Sequence, residues 1–114
     1  WAAAPDRPIV AVTGDGGFGQ YMAEITTAVK YGMKITHVVL NNSELGKISK
    51  EQRSAHFPVW QTALVNPDFA RFAESCGALG IRVTDTRRLD EALGNALSHD
   101  GPSLVEVITD PELV

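Results

Sequence analysis

Apolar residues along the chain alternate between short β-branched runs and stretches of helical period. The first run, Pro8-Ile9-Val10-Ala11-Val12-Thr13, predicts a buried strand that stops at a glycine cluster. Beyond the glycines, Phe18, Met22, Ile25 and Val29 recur at helical spacing with Gln20, Glu24 and Lys30 between them. Residues 18–31 therefore read as one amphipathic helix, closed by Gly32. A second β-branched run over 35–40 ends at Asn41-Asn42. Two strands joined by a helix make a βαβ unit, whose right-handed crossover sets the strands parallel.

The second half repeats the alternation. Asn66-Pro67-Asp68 reads as a helix start with Pro67 in the first turn, Phe69, Phe72, Ala73 and Cys76 as its apolar face, and Gly77 and Gly80 as its end. Residues 81–84 predict a third strand. Asp85 or Thr86 caps a further helix that carries Leu89, Ala92, Leu93, Ala96 and Leu97 on one side. Asp100-Gly101-Pro102 is a turn, and 103–108 a fourth strand. Between the halves lies an irregular segment, 43–65, in which 45–52 is either a short helix or a lid. The expected fold class is α/β, a mostly parallel sheet with helices on both faces, in one domain spanning residues 1–114.

Composition narrows the function. With 114 residues the chain supports one core but is short for a cofactor enzyme with its own substrate pocket. A net charge of −4 argues against nucleic acid as a partner, since phosphate-backbone binding shows as a basic patch. No apolar run reaches transmembrane length and no signal peptide is visible, so no membrane segment and a cytoplasmic location are expected. The single Cys76 excludes an internal disulfide and, without a CxxC motif or a basic cluster beside it, reads as core.

Parallel strands place their carboxyl ends on one edge, where open α/β sheets bind ligands. Asp15 and Asn42, 27 positions apart in the chain, emerge side by side on that edge. Gly16 and Gly17 let the backbone approach an anion closely, at the start of a helix whose N–H groups point at it. A carboxylate and an amide oxygen are hard ligands suited to Mg²⁺, which borrows further oxygens from a bound phosphate. Either motif alone is compatible with an ordinary turn; their pairing within one crossover carries the signal. A dinucleotide loop is the weaker reading, because the Asp15 carboxylate repels a pyrophosphate unless a cation intervenes. His37, inside a strand, reads as packing. His56 lies in the middle segment as a candidate acid or base, and His99 sits near a helix end where its charge suits the dipole. Trp60 either packs the middle segment down or faces a partner, and Trp1 at the chain start carries no reading.

The sequence Gly14-Asp15-Gly16, then 24 residues, then Asn41-Asn42 resembles the thiamine diphosphate signature, and the resemblance runs from about Ala3 to the end of the chain. It implies the C-terminal, diphosphate-binding domain, in part, of an enzyme of the branch containing pyruvate oxidase, quinone-linked pyruvate dehydrogenase and acetolactate synthase. By that resemblance Mg²⁺ is held by Asp15, Asn42 and the backbone carbonyl of Glu44, and the cofactor site comprises Gly14, Asp15, Gly16, Gly17, Asn42 and Glu44. Ile48 and Glu51 match an aliphatic residue and a glutamate that face the reaction centre in pyruvate oxidases. Lys47 departs from the family, which has Phe or Met there. Glu51 favours the oxidase branch, since acetolactate synthases carry tryptophan at that place. The implied activity is decarboxylation of a 2-oxo acid, pyruvate foremost, with oxidation of the product; an acetolactate synthase-like carboligase is the alternative. FAD would enter through a domain outside these residues. The implied partners are a pyrimidine-binding domain, from another subunit, and further copies of the chain in a homo-oligomer, so that these residues alone form a fragment without turnover. A non-catalytic module for diphosphate ligands is the alternative of another class.

Overall fold

The computed structural model describes residues 1–113. Strands β1 (Ile9–Gly14), β2 (Ile35–Asn41), β3 (Leu79–Val83) and β4 (Ser103–Ile108) form one sheet in the order β1-β2-β4-β3, with every neighbouring pair parallel. The helices are α1 (Asp15–Gly19), α2 (Glu24–Lys30), α3 (Gly46–Ser54), α4 (Phe69–Ser75) and α5 (Leu89–Ser98). Short 3₁₀ turns at Thr86–Arg88 and Pro111–Leu113 flank α5 and follow β4.

Alternation along the strands divides the molecule into two layers. Val39 of β2 and Leu104 of β4 join Phe18, Ile25, Phe69 and Ala73 in the larger core, where the Phe18 and Phe69 rings meet edge-on at 5.3 Å. On the other face Val83 and Val105 pack against Ala92 and Ala96 of α5. The Thr36 and Ser103 hydroxyls donate to the Ala96 carbonyl at 3.4 and 3.0 Å, satisfying an acceptor in the last turn of α5. Helices thus lie on both faces, as the sequence pattern requires. α5 leaves β1 uncovered: Val12, level with Val38 on this face, is 63% exposed and Val10 50%.

The predicted helix over 18–31 is two helices. Helical geometry begins earlier, at Asp15, and runs through three glycines that hold a helix poorly. The N–H groups of Gln20, Tyr21, Glu24, Ile25 and Thr26 bond to carbonyls three residues back, the tighter 3₁₀ pattern, which runs from the end of α1 into the first turn of α2. Pro67 lies outside its helix. Asp68 is the cap, its carboxylate accepting the Arg71 N–H at 2.9 Å. Gly77, at φ +92°, closes α4 with the Gly77 N–H donating to Glu74 and the Ala78 N–H to Ala73. Gly80 does not end the helix but sits in β3, which begins at Leu79 rather than Ile81. A Cβ there would stand 2.0 Å from the Ala70 carbonyl oxygen, so glycine is what lets α4 lie directly on β3.

The middle segment is partly ordered by pairing. Residues 43–45 and 62–64 form an antiparallel bridge, with the Leu45 N–H donating to Thr62 and the Leu64 N–H to Ser43, both at 2.8 Å. Trp60 does not pack the segment down. Its backbone exchanges hydrogen bonds with the Gln52 side chain while the residue stays 70% exposed. Among the described residues Lys47 and Glu51 make no ion pair. No helix of the described residues is long and apolar enough to cross a membrane.

Gly80→Ala forces a methyl group against backbone atoms that cannot swing away, and a loss of about 1–3 kcal/mol or more in urea unfolding is expected. Asp68→Ala removes the α4 cap and is expected to cost about 1 kcal/mol at neutral pH. The Arg71 N–H, and then Arg82, hold the Asp68 carboxyl below its ordinary value. The capping contribution is therefore fully present above about pH 4, the unfolded value, and lost as pH falls through the lower folded one. Wild type and Asp68→Ala should converge in stability in strong acid, which a pH series of unfolding midpoints checks.

Candidate functional site

The crossover from β1 through α1 and α2 to β2 brings Asp15 and Asn42 to the same sheet edge. Both line a cavity of about 390 Å³ together with Gly14, Glu44, Lys47 and Asp110. Asp15 is buried, 3% exposed, at the first residue of α1. Its Oδ1 accepts the Gly16 N–H at 2.9 Å, and its Oδ2 accepts the Ser43 N–H at 2.8 Å and the Asn66 amide at 2.6 Å. A carboxylate offers about four lone-pair positions, so the three bonds leave one, on Oδ1. Asn42 Oδ1 accepts the Glu44 N–H at 3.1 Å and keeps a second lone pair. The Glu44 side chain is engaged elsewhere: it accepts from the Ser49 and Thr62 hydroxyls at 2.6 and 3.4 Å and lies 3.7 Å from Arg53. All three contacts fall on Oε1, and among the described residues the Glu44 backbone carbonyl accepts no backbone hydrogen bond, which leaves it open to a metal. These hard oxygen donors, with one open carboxylate position beside a cavity, fit Mg²⁺ and a diphosphate.

The glycines have separate duties. Gly14 lines the Asp15 cavity, and a Cβ on it would meet no atom beyond its chain neighbours within 4 Å. Gly16 is closed over by the middle segment: a Cβ there would lie 2.7 Å from Leu45 and 3.3 Å from Leu64. Gly17 borders a different cavity, about 150 Å³, with Thr13, Phe18 and His37. Gly14, Gly16 and Gly19 also satisfy the G-x-G-x-x-G spacing of a dinucleotide loop. The buried carboxylate at the second position separates this turn from such a loop, since an uncompensated pyrophosphate would be repelled there.

Ile48 and Glu51 are not brought to the Asp15 cavity. Both are exposed on α3, where Glu51 lines a second, more open cavity of about 760 Å³ with Lys47, Lys50 and Ser54. Lys47 borders both cavities. His37 is half-buried with its ring 5.7 Å from that of Phe18, and burial lowers its pKa, favouring the neutral imidazole. His56, at φ +59°, and His99, which ends α5, are exposed and outside the Asp15 cavity. Cys76 packs against the larger core.

Three residues of this region escape the sequence patterns. Asn66, read only as the flank of a helix start, donates to both Asp15 and Asn41. Glu106 is fully buried, and accepts the Asn41 amide at 2.7 Å and the Ala70 N–H at 3.3 Å. Arg82 lies 3.6 Å from Glu106 and 3.1 Å from Asp68. The available signal was an acid inside an otherwise apolar strand run, Ser-Leu-Val-Glu-Val-Ile, where burial on both faces demands a partner.

Comparison with known proteins follows the same lines. The family model described as "Thiamine pyrophosphate enzyme, C-terminal TPP binding domain" matches residues 1–107. The chain is 47% identical over 108 residues to the putative thiamine pyrophosphate-containing protein YdaP of Bacillus subtilis, covering 95% of this chain and 19% of that protein. It is 36% identical over 117 residues to the mitochondrial acetolactate synthase catalytic subunit of Aspergillus candidus, covering 97% and 16%. Among solved structures, the thiamine diphosphate-dependent 4-hydroxybenzoylformate decarboxylase of Rhodococcus jostii RHA1 superposes with a TM-score of 0.88 at 26% identity, over 96% of this chain and 21% of that one. The chain thus spans about a fifth of the length of such proteins. With Asp15 and Asn42 at one sheet edge and the family match over nearly all its residues, the chain belongs to the thiamine pyrophosphate enzymes, in the family of their C-terminal TPP binding domains.

Proposed function

We propose that these residues hold the diphosphate of thiamine diphosphate through Mg²⁺, within a larger enzyme that decarboxylates a 2-oxo acid, pyruvate foremost, and oxidises the product. The observation that carries this reading is the cavity that Gly14, Asp15, Asn42 and Glu44 share at the carboxyl edge of a parallel sheet, bordered by hard oxygen donors. Asp15 offers the open lone pair of Oδ1, Asn42 its amide oxygen and Glu44 its backbone carbonyl. When bound, thiamine diphosphate supplies the carbanion chemistry of decarboxylation. The protein's part is to bind and orient. Leu45 and Leu64 pack over Gly16 and brace the turn from the side of the middle segment. Lys47 at the rim adds a positive charge beside an anionic ligand, Glu51 lines the neighbouring open cavity, and Ile48 is exposed on the same helix, where a partner domain would complete the reaction space.

The pyrimidine half of the cofactor is assigned to a separate domain, from another subunit of a cytoplasmic homo-oligomer. Val10 and Val12 on β1, and Phe57 and Trp60 in the middle segment, are the exposed apolar side chains that such neighbours would cover. An oxidase with FAD would carry the flavin on a further domain. A second reading, carboligation to acetolactate, is favoured by the relative named acetolactate synthase at 36% identity. Supplying the full-length enzyme with pyruvate separates the two. Reduction of a dye or quinone supports the oxidase, whereas acetolactate without acceptor reduction moves the assignment to the carboligase.

Calorimetric titration of the full-length protein tests the clamp. Thiamine diphosphate is expected to bind only with Mg²⁺ present, and Asp15→Ala to weaken binding by about 100-fold, the loss of one partner of a close charge pair. Binding that needs no metal, or that ignores the substitution, would sink the clamp.

A further inference from the structure

We propose that Asn66 is a positioning residue that decides which oxygen of Asp15 is offered to the metal, and that the buried Glu106 aims it through Asn41. The inference rests on the clamp reading above and extends it to residues outside the metal set. The reasoning is one of donors and acceptors. An ionised carboxylate only accepts, so fully buried Glu106 requires the Asn41 amide to turn its NH₂ inward, where the two meet at 2.7 Å. Asn41 must then present Oδ1 toward the site edge, where it accepts from the Ser43 N–H at 3.2 Å and from Asn66 at 2.9 Å. Asn66 in turn must present its NH₂ to Asn41, and the second hydrogen of that group falls on Asp15 Oδ2 at 2.6 Å. With the Ser43 N–H also on Oδ2, that oxygen is saturated and Oδ1 alone keeps an open position.

One-oxygen coordination has a consequence for the choice of cation. Mg²⁺ takes six tightly held ligands and suits a single carboxylate oxygen, whereas Ca²⁺ tolerates more ligands and both oxygens of one carboxylate. By occupying Oδ2, Asn66 biases Asp15 against the two-oxygen mode. Selectivity for Mg²⁺ over Ca²⁺ is therefore set in part by a residue that touches neither metal nor cofactor.

The test compares affinities of the full-length protein for Mg²⁺ and Ca²⁺, titrated in the presence of thiamine diphosphate and read by calorimetry rather than by turnover. Asn66→Ala is expected to weaken Mg²⁺ by about 10–100-fold, the range seen when outer partners of a metal ligand are removed, and to weaken Ca²⁺ markedly less. Glu106→Gln, nearly the same shape but able to turn either an oxygen or an NH₂ toward Asn41, should shift the ratio in the same direction by a smaller factor. A loosened fold would weaken both cations alike, so an unchanged Mg²⁺ to Ca²⁺ ratio in both variants overturns the inference. If Asn66→Ala does not fold, the ratio in Glu106→Gln decides alone. Metal-dependent binding by wild type and its loss in Asp15→Ala report separately on the clamp, so the two readings fail by different results.

Discussion

A carboxylate with no exposure to water organises one half of this domain. Burying an ion is disfavoured by several kcal/mol unless charge and hydrogen bonds replace its hydration. Glu106 therefore has to be answered from three directions: the Asn41 amide from β2, the Ala70 N–H from α4 and the Arg82 guanidinium from β3. Arg82 also reaches Asp68, the cap of α4. One buried charge thus ties two strands to the start of a helix. The loop that enters the helix, including Asn66, is held where it can touch Asp15.

The same geometry explains why the site is assembled from short pieces far apart in the chain. In a parallel sheet every strand ends on one edge, so loops separated by whole crossovers become neighbours there. Asp15 follows β1, Asn42 and Glu44 follow β2, Asn66 precedes α4 and Asp110 follows β4. The middle segment adds a roof, with the 43–45 and 62–64 stretches paired and Leu45 and Leu64 closed over Gly16. Glu44 serves both purposes, its side chain accepting from Ser49 of α3 while the residue lines the cavity. The opposite flank is bare: α5 shields β2, β3 and β4 but leaves β1 exposing valines, the kind of surface that a neighbouring domain buries.

Much of this was legible from the chain. The four strands and the apolar faces of the helices over 69–75 and 89–98 follow from periodicity, and the placing of Asp15 beside Asn42 follows from the parallel crossover. The misreadings have physical sources. The helix expected over 18–31 breaks because its apolar spacing is blind to Gly19 and to the 3₁₀ turn that follows it. Gly80 resembles a helix stop, yet it marks a close approach of α4, which no local pattern encodes.

The sequence by itself determined the alternation of strands and helices, which side of a helix is apolar and which oxygen donors reach the sheet edge, because these depend on residue type and on periods of two and 3.6 along the chain. Tertiary structure decided the bonds of Asn66 and Glu106, 51 positions after Asp15 and 65 after Asn41. A buried acid and a loop asparagine carry no local signal of their partners. Only when β4 is inserted between β2 and β3 does Glu106 lie beside Asn41, and only then does the need to satisfy that charge fix which way each amide points.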